Sequence, residues 1–167
     1  MKNTFFIILF ILFIALVVTI IHKQLQTKNI STAPQPQEQT AWGIAANPSA
    51  MILTRTITIS MTDDMRFTPN EINIEEGETV QFLLKNEGKV MHEFVMGTPE
   101  SIQAHAEMMK QMPNMHHHLA YMAHVAPGEQ GNITWIFNRT GKFNFACLMP
   151  GHYEAGMRGI INVSKSN

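Results

Sequence analysis

Cys147, His152 and Met157 are spaced five residues apart in the run Phe145-Ala146-Cys147-Leu148-Met149-Pro150-Gly151-His152-Tyr153-Glu154-Ala155-Gly156-Met157. A thiolate, an imidazole and a thioether are soft or borderline donors, and this spacing lets one loop bring all three to a single ion. Pro150, Gly151 and Gly156 are the turn formers that would fold such a loop back on itself. A fourth donor has to come from elsewhere, and His92 offers one in the separate apolar run Val90-Met91-His92-Glu93-Phe94. Two imidazoles and a thiolate in a plane, with a weak axial thioether, form the blue (type 1) copper set. That set compromises between Cu(I) and Cu(II), so little has to move when an electron arrives or leaves.

Each donor also has a plainer reading. Cys147 is the only cysteine; it can form no intrachain disulfide, and a lone thiol is most often an inert buried group. Met157 alone could be core packing. Zinc takes Cys and His equally well but has no use for Met. A dinuclear copper centre would need a second bridging cysteine. Copper oxidases wire the type 1 cysteine to another centre through an adjacent His, whereas Cys147 is flanked by Ala146 and Leu148. His116-x-His118 is a single His-x-His pair, too few for a trinuclear cluster. A nucleophilic role for Cys147 lacks the general-base context it would need. The expectation is copper binding with one-electron chemistry and no catalytic centre of the chain's own.

A second group of donors lies between residues 98 and 124: His105, Met108, Met112, Met115, His116, His117, His118, Met122 and His124. Thr98-Pro99-Glu100 starts a helix, with a capping hydroxyl, proline in the first turn and an acid beside it, and Pro113 ends it. On that helix His105, Met108 and Met112 share one face, while Ile102, Ala106 and Met109 form a stripe to pack on the rest of the domain. A loop through His124 should follow. The segment reads either as adaptable packing or as a weaker surface for capturing additional copper.

The elements that must position these residues are short strands. Ile57 and Ile59, Ile72 and Ile74, Val80-Phe82-Leu84, Ile133-Trp135-Phe137, Phe143 and Phe145, and Ile161 and Val163 alternate with polar residues. Asp63-Asp64, Pro69-Asn70, Gly77, Gly88, Pro127-Gly128 and Gly141 punctuate them. This pattern predicts an all-β antiparallel sandwich or barrel over residues 51–167, with a Met/His-rich insertion at about 98–124 whose helix runs from Pro99 to Met112.

The front of the chain differs. Phe5 to Ile21 is apolar except for Thr19. This is the length of a long signal core or of a minimal membrane span of about 17 residues. Residues 1–27 therefore read as a signal sequence or membrane anchor. The absence of a small-x-small site close behind the core favours the uncleaved anchor slightly. Residues 28–50, with Pro34, Pro36 and Pro48 among Gln, Ser and Thr, read as an extended linker. Three of the twelve basic residues precede residue 31, and all thirteen acids follow it. The remainder is net acidic, with no basic stripe for nucleic acid.

The Cys-x4-His-x4-Met loop with an upstream strand His resembles the cupredoxins, the plastocyanin- and azurin-like blue copper proteins. Met91-His92-Glu93-Phe94, Gly97-Thr98-Pro99-Glu100 and the stretch from Phe145 to Met157 resemble more closely the bacterial periplasmic cupredoxins linked to copper tolerance. The likeness covers roughly residues 53–164. It implies a Greek-key β-sandwich with one type 1 copper near one end, outside the cytoplasm. His152 would be the ligand nearest the surface, ringed by Leu148, Met149, Pro150, Tyr153 and Ala155 as an apolar patch for a redox partner protein. Two functions stay open: copper tolerance, which the Met/His segment favours, and dedicated electron carriage.

Overall fold

The computed structural model describes residues 39–46, 55–112 and 119–166. The leader or anchor, most of the proposed linker, and Met115, His116, His117 and His118 lie outside the described residues. Among the described residues no helix is long and apolar enough to cross a membrane.

The strands are β1 (Gln39–Thr40), β2 (Gly43–Ala45), β3 (Arg55–Thr62), β4 (Arg66–Thr68), β5 (Glu71–Glu75), β6 (Thr79–Asn86), β7 (His92–Gly97), β8 (Met122–Val125), β9 (Gln130–Ile136), β10 (Gly141–Ala146) and β11 (Arg158–Ser164). Helix α1 (Pro99–Gln111) is inserted between β7 and β8. One sheet runs β1-β2-β9-β6-β3-β4 and the other β5-β11-β10-β7-β8. The pairs β3/β6 and β5/β11 are parallel, and the other pairs are antiparallel. Among the described residues the sandwich expected from the alternation is present with its one short helix, and the two parallel pairs depart from the antiparallel pairing expected.

Alternation explains the core. On β6, Val80, Phe82 and Leu84 are buried while Gln81, Leu83 and Lys85 keep some exposure, as a strand with one covered face requires. Ile59 and Met61 of β3, Ile133 and Trp135 of β9, Phe143 and Phe145 of β10, and Ile161 and Val163 of β11 meet them in one cluster. Phe67, Phe82, Phe94 and Phe145 pack ring against ring at centroid distances of 5.1–5.9 Å, within the range where aromatic pairs attract.

Strand β7 departs from alternation, being buried along its whole length. It has cover on both faces. His92, Phe94 and Met96 face the sandwich, while Val95 meets Ile102, Ala106 and Met109 of α1. The helix begins as expected, with the Ser101 N–H donating to Thr98 Oγ1 at 3.2 Å and proline in the first turn. Its buried stripe is the expected Ile102, Ala106 and Met109.

Two expectations change. Residues 39–45 are edge strands rather than linker: Ile44 and Ala45 pair with Ile136 and Trp135, and Trp42 is buried at 6.5 Å from the Trp135 ring. Linker composition concealed this because one large aromatic anchors an otherwise polar stretch. Met122, His124 and their neighbours form β8, not loop, since β7 offers them an open edge to pair with.

Candidate metal centre

Each donor of the site is placed by a strand end. His92 opens β7, and Cys147 follows β10 by one residue. Neighbouring β10 and β7 pair Ala146 with Val95. His152 lies in the turn between β10 and β11, and Met157 immediately precedes β11. Gly151 (φ 83°) and Gly156 (φ 99°) take the left-handed backbone that the loop requires. Main-chain bonds close the loop: the Met157 N–H donates to the His152 carbonyl and the Cys147 N–H to the Met157 carbonyl, each at 3.0 Å. Arg66 of β4 reaches across to donate to the Ala155 carbonyl at 2.8 Å.

One ligand atom from each of His92, Cys147 and His152 lies within 4.8 Å of the others. Cys147 Sγ is 3.2 Å from His152 Nδ1. The side chains of His92, Cys147 and Met157 are fully buried, and His152 is half-buried. His152 is therefore the most exposed of the four, as expected. Of the apolar ring around it, Pro150 and Ala155 are exposed and Met149 and Tyr153 partly so. Leu148 is buried against α1 instead, because the residue after Cys147 points to the opposite face of the sheet. Val90 and Met91, just before His92, are exposed.

His92 supplies the test of fit. Its Nε2 lies 3.4 Å from Asp63 Oδ1, whereas its buried Nδ1 has no hydrogen-bond partner among the described residues. Leaving such an atom unpaired costs about 1–3 kcal/mol, and a metal ion would satisfy it. A thiol and two imidazoles with one donor atom each within 4.8 Å of the others, and a buried thioether where the same loop meets β11, fit copper, and these residue types match the type 1 set.

Supporting residues escaped the sequence reading. Asp63 accepts from the Lys89 N–H at 2.8 Å, and this bond most of all holds its carboxyl below the usual range. A Cβ on Gly88 would overlap that carboxylate, so glycine lets the loop approach. Asn86 donates to the carbonyls of Val90 and Val125 at 2.8 Å each. Together they fix the turn that delivers His92. Asp63 and Gly88 had appeared only as turn punctuation, which local spacing cannot distinguish from a ligand brace.

Glu93 matters most among the residues missed. Its N–H donates to Cys147 Sγ at 3.3 Å. Its Oε2 accepts from the Leu148 N–H at 3.0 Å, and its Oε1 lies 3.2 Å from His124 Nε2. Burial pushes its carboxyl up to about 7. One carboxylate thus braces the residue after the cysteine and engages His124. An acid within the apolar run from Val90 to Met96 was the available signal.

The described members of the second donor group are dispersed. His105 and Met108 line a cleft beside α1; Met112 is exposed. Met122 is buried under the helix, and His124 is engaged by Glu93. Met122 and His124 therefore belong to packing and to the brace rather than to an exposed capture surface.

Burial pushes the Cys147 thiol up to about 12 and depresses His152. At pH 8 the metal-free chain would therefore carry almost no thiolate. The native metal-free chain is accordingly expected to resist a thiol-alkylating reagent that labels the denatured chain rapidly. Equal labelling rates would contradict the buried thiol.

The plastocyanin/azurin family of copper binding proteins matches residues 54–164. The copper-resistant cuproprotein CopI of Rubrivivax gelatinosus is 49% identical over 109 residues, covering 65% of this chain and 66% of that protein. CopI of Vibrio cholerae is 38% identical over 104 residues, covering 62% of each chain. The chain thus spans just under two thirds of the length of these two relatives. The dithionite-reduced auracyanin of Roseiflexus castenholzii superposes with a TM-score of 0.58 at 21% identity, covering 68% of this chain and 99% of that one, a likeness of fold. With the fold, the donor set and these relatives in agreement, the chain belongs to the plastocyanin/azurin family of copper-binding proteins.

Proposed function

We propose that the chain is an exported type 1 copper protein serving copper tolerance, with one-electron transfer as its underlying activity and no catalytic centre of its own. His92, Cys147 and His152 would hold the copper strongly, and Met157 would add a weaker thioether contact. The observation that carries this reading is that one donor atom each from His92, Cys147 and His152 lies within 4.8 Å of the others, while the buried His92 Nδ1 has no hydrogen-bond partner among the described residues. Bound copper supplies a one-electron couple. The chain's own residues hold the donors in place, exclude water through burial of His92, Cys147 and Met157, and bring His152 to the surface. Two relatives named as copper-resistant support tolerance over carriage alone. The apolar segment from Phe5 to Ile21 supports export, with the copper domain outside the cytoplasm and the segment as its inner-membrane anchor.

Dedicated electron carriage is the second reading. The apolar surface of Val90, Met91, Pro150 and Ala155 at the His152 end favours it, since such a patch suits a transient redox partner. Expression in a copper-sensitive bacterial host separates the two. The full chain is expected to restore growth on copper, and Cys147→Ser is expected not to. Unchanged copper sensitivity with the coloured wild-type chain present would leave carriage as the function.

A further inference from the structure

The cleft between α1 and the outer side of β7 is not used by the centre just described. It has a volume of about 300 Å³, and Trp42, Met96, His105, Met108 and Tyr121 line it. We propose that this cleft is a second metal site, selective for a soft monovalent cation such as Cu(I), with His105 and Met108 as its principal donors. The proposal goes beyond the function above and does not depend on the His92, Cys147 and His152 cluster.

Two observations converge. His105 and Met108 stand one helical turn apart on α1 and line the same cleft, so imidazole and thioether are neighbours on one helix face. Trp42 and Tyr121, held edge to face at 5.2 Å, offer ring faces, which attract cations. The lining also decides the class of ion. Among the described residues it contains no Asp, Glu, Lys or Arg, so a divalent ion would lie in apolar surroundings without an opposing charge from them, at a high desolvation cost. Hard cations want oxygen ligands, and here the side-chain oxygens are the hydroxyls of Ser101 and Tyr121. Thioether with imidazole suits Cu(I).

Silver(I) in chloride-free buffer is the probe, added to the full chain already loaded with Cu(II), so that the visible band reports the first site throughout. The chain is expected to take up silver with its band intact, and His105→Gln/Met108→Leu is expected to bind one silver fewer. Met112→Leu, on an exposed residue outside the cleft, should keep the wild-type count. A methionine-methyl NMR titration of the wild-type chain tests the assignment independently of any variant. The Met108 methyl should shift on adding silver, and that of core Met61 should not. An equal silver count in the double variant and the wild type, or a Met108 methyl that stays in place, would overturn the proposal. Loss of the visible band on silver addition would also overturn it, since silver would then be competing for the first site.

Discussion

Copper(II) added to the Cys147→Ser chain is expected to give no intense visible absorption, whereas Met157→Leu should remain coloured with a raised reduction potential. The colour of a type 1 centre comes from charge transfer between the cysteine thiolate and Cu(II), and an alkoxide-forming serine has no counterpart at neutral pH. Cys147 is fully buried and sits 3.2 Å from His152 Nδ1, so no other thiol can replace it in a chain with one cysteine. Met157 is buried too, but in this donor set the thioether makes only a weak, long bond. Leucine fills similar volume and withdraws a donor that stabilises Cu(II) more than the apolar replacement can. Absorption spectra and a redox titration of the two variants are the measurements. If Met157→Leu lost copper as completely as Cys147→Ser, Met157 would have to be counted among the strong ligands.

The second large effect is expected at Glu93, which makes no bond to the ion in the proposed ligand set. Glu93→Ala should lower the unfolding free energy of the metal-free chain by about 2 kcal/mol, the scale for leaving a buried donor without its acceptor. It strips the Leu148 N–H of its acceptor and His124 of its partner at once, and the 1% exposure of Glu93 leaves little water to compensate. Glu93→Gln keeps a carbonyl oxygen for the Leu148 N–H and should cost about 1 kcal/mol, the worth of one hydrogen bond. Because Leu148 follows the cysteine directly, Glu93→Ala should also shift the visible band, while Gln holds it near its wild-type position. Denaturant unfolding and the visible spectrum of each variant decide. Equal stability of Ala, Gln and wild type would reduce Glu93 to a bystander.

The two effects differ in how far the sequence foreshadows them. Cys147, His152 and Met157 lie on one loop between two alternating strands, so their convergence is a local property that spacing and turn residues convey. His92 is distant in sequence, but a histidine inside an apolar β-run is conspicuous enough to be read as the fourth donor. The strands themselves follow from period-two alternation, and α1 from its proline start and buried stripe. All these signals are carried by residues within a few positions of one another.

What tertiary structure alone decided are the facts of cover and pairing. Glu93 looks like the solvent-side partner of His92 in an alternating strand; it is buried because α1 covers the outer face of that sheet and β8 pairs beside β7 with His124 opposite it. His124 and Met122 read as loop donors until β7 supplied an edge for them to pair with, turning one toward Glu93 and the other under the helix. Residues 39–45 read as linker until Trp42 found Trp135 across 93 positions of sequence. In each case the residue's own type and spacing were compatible with two environments. The choice was made by an element far along the chain, whose approach depends on the packing of the whole sandwich rather than on any short-range pattern.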